Sequence, residues 1–207
     1  MAEIRNVIFD MGQVLLKFTP ERIFSPFFPD PKELARVREV IFDSGEWAAI
    51  DTGLVSEEEK VEGWIRALPE HERAIRAMMA EWYRGMEPVE GMEELILELK
   101  GEGYRCYLLS NTSERFFEYA HDVPVLCLLD GYVISAVERL SKPDPAIFEL
   151  TLSRFGLRAE ESFFVDDNAQ NIQSAEACGI CGFCFEEYDV LALRRGMRQA
   201  GICIREK

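Results

Sequence analysis

Residues 4–13 read IRNVIFDMGQ. Ile4, Val7, Ile8 and Phe9 form a short apolar run of the kind that becomes a buried strand, and the run stops at Asp10. A carboxylate at the tip of a strand, with Gly12 in the turn behind it, is placed for attack on phosphorus. The fold depends on whether the chain repeats this motif, a buried strand that ends in a polar tip.

It does, after an interruption. From about residue 19 to 85 the pattern is helical. PKELARVREVIF, SEEEKVEGWIRAL and HERAIRAMMAEWYRGM are amphipathic, and Ser56 with Glu59 three residues on makes a capping box. Strand–helix alternation resumes after Pro88. GMEELILELKGEGY is a helix stopped by Gly103. YRCYLLS (104–110) is a strand running into Asn111-Thr112, and TSERFFEYAH is the helix after it. Asp144 and Pro145 start a helix that Gly156 ends. SFFVDD (162–167) is a strand closed by two aspartates. NAQNIQSAEACG is a helix, CGFCF a strand, LALRRGMRQAG a helix and ICI (202–204) a last short strand. Apolar strands alternating with helices predict an α/β fold: a Rossmann-like, mainly parallel sheet with helices on both faces. Residues 1–17 and 88–207 form this core, and an all-helical domain, 18–87, is inserted after the first strand.

Composition narrows the function. The 207 residues carry a net charge of -15, which argues against a nucleic-acid partner, since phosphate backbones are held by basic patches. A small phosphorylated ligand is still compatible, because a few donors and a metal can invert the local field. The N-terminus places charge inside its apolar stretch and does not read as a signal peptide, and no run of eighteen apolar residues occurs. The expectation is a cytoplasmic protein with no membrane partner; nothing in the sequence specifies an oligomer. CGICGFC (178–184) has the C-x2-C-x2-C spacing of a metal site, but no fourth ligand lies nearby, and His71 and His121 are far off in sequence. Cys178 is therefore expected to close a helix, and Cys181 and Cys184 to sit as reduced, small apolar residues in or near a buried strand.

Asp10, Ser110-Asn111 and Asp166-Asp167 all fall at strand tips, and Lys142 precedes a helix. Ligands of open α/β sheets bind outside the carboxyl ends of the strands, so these residues can converge in one crevice. Singly, each suits a turn or a helix cap. Together they could supply a nucleophilic carboxylate, phosphate-binding donors, a neutralising lysine, and carboxylates for Mg2+.

The segments Phe9-Asp10-x-Gly12, Leu109-Ser110-Asn111-Thr112, Lys142-Pro143-Asp144 and Phe164-Val165-Asp166-Asp167-Asn168 resemble the four motifs of the haloacid dehalogenase superfamily, over nearly the whole chain. The helical insertion is similar to that superfamily's cap domain. The F-D-x-G, S-N-T and V-D-D-N segments, with the stretch from Trp47 to Ser56, look most like the sugar-phosphate branch typified by alpha-D-glucose-1-phosphate phosphatase. The resemblance implies a Mg2+-dependent phosphatase that acts on a small phosphorylated metabolite, such as a sugar 1-phosphate, through an aspartyl-phosphate on Asp10. It implies Asp10 and Lys142 as catalytic residues. Met11 (through its amide), Ser110, Asn111 and Lys142 bind phosphate. Asp10, Gly12 (through its carbonyl) and Asp167 hold the metal, with Asp166 and Asn171 behind them. Trp47 and Asp51 in the cap face the substrate.

Gly12 departs from the superfamily's usual aspartate, a general acid and base. Three explanations stay open: a leaving group that needs little help, such as an anomeric oxygen; a substitute acid, Asp51 or Glu46; or a chain that binds a phospholigand without turnover. A metal-free dehalogenase also lacks the second aspartate, but has little use for the Asp166-Asp167 pair.

Overall fold

The computed structural model describes residues 2–205. Its strands are β1 (Asn6–Phe9), β2 (Leu16–Lys17), β3 (Glu87–Pro88), β4 (Arg105–Ser110), β5 (Gly131–Ile134), β6 (Ser162–Asp166) and β7 (Cys181–Cys184). Five of them form one sheet in the order β5-β4-β1-β6-β7, and every pairing in it is parallel. In β1, Val7 and Phe9 pack into one apolar layer and Ile8 into the other. That alternation is what a sheet covered on both faces requires. Each such fully buried side chain contributes about 1.5–3 kcal/mol.

The helices are α1 (Pro20–Phe24), α2 (Pro31–Arg38), α3 (Glu46–Ile50), α4 (Glu57–Ala67), α5 (Glu72–Glu81), α6 (Met92–Gly101), α7 (Phe116–Tyr119), α8 (Pro124–Cys127), α9 (Ser135–Glu138), α10 (Pro145–Phe155), α11 (Ala169–Ala177) and α12 (Val190–Gln199). Leu95 and Leu99 of α6 and Leu193 and Met197 of α12 cover the Val7–Phe9 face; Ile147 and Phe148 of α10 and Ile172 of α11 cover the other. The helical block α1–α5 leaves and rejoins the sheet through β2 and β3, which pair antiparallel, Leu16 with Pro88 and Lys17 with Glu87. No helix among the described residues is long and apolar enough to cross a membrane.

Several local expectations are corrected. Ile202–Ile204 is not a strand. The Cys203 N–H is taken by the Tyr104 hydroxyl and the Arg205 N–H by Glu98, so side chains replace a strand partner. α5 stops at Glu81 and passes into a tight turn, Trp82–Gly85, and α2 passes at Glu39 into a wider one, Glu39–Asp43. The helix after Thr112 is only Phe116–Tyr119. Strand β5 is absent from the sequence reading, since Tyr-Val-Ile is too short to show a period. Cys178 does cap α11, but β7 is an edge strand, so Cys181 is exposed rather than buried; all six cysteines are free.

Candidate active site

Asp10 follows the central strand, Ser110 ends β4, and Asp166 ends β6, so the parallel register brings all three to the same edge of the sheet. The chain turns from β1 towards β4 and β5 on one side and later returns to β6 and β7 on the other, which opens a crevice at this edge.

Lys142 joins them from the loop before α10. Its ammonium donates to Asp10 Oδ1 at 2.7 Å, to Asp166 Oδ2 at 2.6 Å and to the Leu109 carbonyl at 2.9 Å. An ammonium has three N–H groups, and all three are committed. Lys142 thus brings positive charge to the crevice and holds Asp10 in place. Asn111 is also more occupied than expected. Its side chain accepts from the Lys142 N–H and donates to the Lys142 carbonyl, both at 2.9 Å. What Asn111 can offer a phosphate is its backbone.

The two adjacent aspartates diverge. Asp166 is fully buried and accepts from Lys142, from both the N–H of Asn168 (2.8 Å) and the side chain of Asn171 (3.0 Å). Asp167 is exposed and lines the crevice. Carboxylate oxygens of Asp10, Asp166 and Asp167 lie within 4.8 Å of one another. Burial, only partly offset by Lys142 and reinforced by Asp166, pushes the Asp10 carboxyl up to about 7. Burial, then the Asp166 charge, also raises Asp167. Burial works against the Lys142 ammonium, but the two carboxylates outweigh it and hold the lysine above its usual value. Three carboxylates against one ammonium leave negative charge that a divalent cation, bound through oxygen, would neutralise.

Above these residues is a cavity of about 290 Å³. Asp10, Met11, Gly12, Ser110, Asn111 and Asp167 form its floor. Its roof comes from the helical block and its connections: Phe18, Phe42, Trp47, Trp82 and Met86, with Asp51 as the one charged side chain there. Trp47 stands edge-on to Trp82 at 5.3 Å and stacks on Trp64 at 6.3 Å. Both are buried in the same core, and of the two Trp47 also lines the cavity. Glu46 is not on the wall; it pairs with Lys60 at 2.8 Å. A Cβ added at Gly12 meets nothing within 4 Å, so the missing side chain there is not forced by crowding.

Sequence reasoning missed Ser135. Its hydroxyl donates to the Asp51 carbonyl and accepts the Thr112 N–H at 2.9 Å, which ties the helical block to the loop after β4. Two residues from Asp51, Gly53 has φ +68° and lies against the Ala136 carbonyl, where any Cβ would collide. Arg115 adds a further tie, donating to the Met79 carbonyl and pairing with Glu57 at 3.2 Å.

Residues 4–179 match the haloacid dehalogenase-like hydrolase family. Among curated relatives, a sesquiterpene phosphatase of Aspergillus oryzae is 29% identical over 96% of this chain and 97% of its own length. A haloacetate dehalogenase of a Moraxella species is 28% identical over 53% of this chain and 52% of its own length. Among solved structures, a HAD family enzyme from Bacteroides thetaiotaomicron in its magnesium complex superposes with a TM-score of 0.67 at 25% identity, over 92% of this chain and 99% of that one.

Proposed function

The chain belongs to the haloacid dehalogenase-like hydrolase family, and on that premise we propose that it is a magnesium-dependent phosphoric monoester hydrolase working through an aspartyl-phosphate on Asp10. The observation that carries this reading is the cluster of Asp10, Asp166 and Asp167 carboxylates on the cavity floor, beside Ser110. A dehalogenase displaces halide from carbon and needs no divalent cation, so it has no use for that excess of negative charge. The near full-length likeness to a phosphatase points the same way.

Asp10 attacks phosphorus. The Ser110 hydroxyl and the backbone N–H groups of Met11 and Asn111 receive the phosphate oxygens. Lys142 holds Asp10 in line and prevents its being left as an unpaired buried charge. Asp10, Asp167 and the Gly12 carbonyl would hold Mg2+, with Asp166 and Asn171 orienting them from behind. The ion, when bound, supplies positive charge to the phosphate oxygens. The helical block, residues 18–87, acts as a cap that covers the substrate. Phosphate release from p-nitrophenyl phosphate is expected to require Mg2+ and to stop with EDTA. Asp167→Asn is expected to need at least about tenfold more Mg2+ for half-maximal rate. Full activity in EDTA would overturn the reading.

The roof decides the organic part of the substrate. Its rings and Met86 offer an apolar surface with little to receive a set of sugar hydroxyls. The favoured ester therefore carries a small apolar or aromatic group. The sugar 1-phosphate reading rests on a different observation, the missing acid at Gly12, which suits an anomeric leaving group. Burial of one apolar group is worth about 1.5–3 kcal/mol, so kcat/KM for a short prenyl or aryl phosphate is expected to exceed that for glucose 1-phosphate by about tenfold or more. A preference for glucose 1-phosphate over both the apolar esters and glucose 6-phosphate would return the assignment to the sugar reading.

A further inference from the structure

Attack by Asp10 on an alkyl phosphate expels an alkoxide, a strong base, unless a proton reaches the leaving oxygen as the bond breaks. The cavity floor has no acid free for this. Asp10 is the nucleophile, Asp167 belongs to the carboxylate cluster, and Lys142 is bound on all three of its N–H groups. Gly12 has no side chain.

We propose that Asp51, across the cavity from Asp10, donates the proton to the leaving oxygen and later takes one from the attacking water. This rests on the phosphatase reading above. Three observations place Asp51 in that role. It lines the same cavity as Asp10 and Ser110, from the roof, where the leaving group must lie if phosphate sits on the floor. Among the described residues it makes no salt bridge, so no cation holds it as a carboxylate: nearby Arg115 is paired with Glu57 and Glu118. Its backbone is fixed to the phosphate-binding side of the site, through the Ser135 hydroxyl on its carbonyl and through the Thr112 N–H on Ser135. Gly53, which fits against Ala136 only as glycine, fixes the turn after it. Asp51 is half-buried, and burial, eased by the Ser113 N–H, raises its carboxyl well above the usual carboxylate range. A carboxyl raised in this way favours its protonated form, the form a proton donor needs.

In the first half-reaction an Asp10 oxygen bonds to phosphorus and the bond from phosphorus to the ester oxygen breaks. The Asp51 proton passes to that oxygen; the alcohol departs and Asp51 is left as a carboxylate. In the second, water bonds to phosphorus and gives a proton to Asp51. The bond to Asp10 breaks, inorganic phosphate forms, and both aspartates return to their starting states. A donor on the roof also removes the need for an unusually good leaving group, so Gly12 need not restrict the enzyme to anomeric phosphates.

The test is the leaving-group dependence of Asp51→Asn, measured with Mg2+ on p-nitrophenyl phosphate and on a primary alkyl phosphate. The p-nitrophenolate ion leaves without a proton. The alkyl substrate is expected to lose about 10²–10⁴-fold in kcat/KM, and p-nitrophenyl phosphate under about tenfold. With the latter, a burst of p-nitrophenol should precede slow turnover, because water attack has also lost its base. Equal losses on the two substrates, or no loss on either, would overturn the role of Asp51. A wild-type protein that hydrolyses neither ester brings down the phosphatase reading itself, a result distinct from both.

Discussion

Replacing Asp10 with asparagine is expected to lower phosphate release by about 10⁴-fold or more, on aryl and alkyl esters alike. The amide keeps the shape of the side chain but cannot form the covalent intermediate, so loss should not depend on the leaving group. That separates Asp10 from Asp51, whose loss should. Asparagine should not unfold the protein. Burial raises the Asp10 carboxyl to about 7, above the ordinary value of 3.8. Ionising it therefore costs the folded state stability as pH rises from about 4 to 7, and asparagine avoids that cost. Lys142 keeps Asp166 as a partner at 2.6 Å. The thermal midpoint at pH 8 is expected to stay within about 4 °C of wild type, or about 1 kcal/mol for a chain of this size. A variant that retains more than about a tenth of the rate would rule out Asp10 as the nucleophile.

Lys142→Met is expected to be the most destabilising single change at the site. The lysine side chain is 1% exposed and bridges two carboxylates, one itself fully buried. Removing one partner of a buried ion pair costs about 3–5 kcal/mol, because the remaining charge is left uncompensated. At 2–4 °C per kcal/mol, the midpoint should fall by roughly 6–20 °C at pH 8. The sign with pH follows from Asp10. With the ammonium gone, its folded value rises further above 3.8, so the deficit grows as pH increases through that window and shrinks as pH falls towards 4. Mg2+ should restore part of the midpoint at pH 8, by supplying positive charge to the same carboxylates, and little at pH 4. An unchanged midpoint at pH 8, by calorimetry or circular dichroism, would show that the bridge is not what holds this edge of the sheet together.

The two experiments address different features of one arrangement. Asp10 is buried without full compensation, and Lys142 limits how far that goes. The same excess of carboxylates that Lys142 pairs with would suit the floor to a divalent cation. The roof answers a separate question. Phe18, Phe42 and Trp47 lie well before Trp82 and Met86 in the chain yet line the same roof, with Trp82 against both Phe18 and Trp47, so the packing of the helical block shapes the space over Asp10.

How much of this was legible in the sequence follows physical lines. Asp10, Ser110, Asp166 and Asp167 were readable as strand tips because a buried parallel strand must be apolar and a carboxyl end must turn. Both constraints act within a few residues. The start and stop of α10 were readable for the same reason: Asp144 accepts the Ala146 N–H and Gly156 takes φ +62°. Ile202–Ile204 misled because an apolar triplet fits a strand, but what decides it is a partner, and here Tyr104 and Glu98 take the N–H groups instead. Strand β5, and with it Ser135, carried too short a signal to find.

The sequence by itself determined the class of fold, the chemistry available at the strand tips, and the absence of an acid at Gly12. Tertiary structure decided which aspartate of the adjacent pair is buried and which faces the cavity, that Lys142 spends every N–H on protein, and that Asp51 rather than Glu46 reaches the site. The reason is distance along the chain. Lys142 and Asp10 are 132 residues apart, and Ser135 and Asp51 are 84 apart. A helix cap or a strand tip is set by neighbours in sequence, but the pairing of a charge is set by whatever the fold brings beside it.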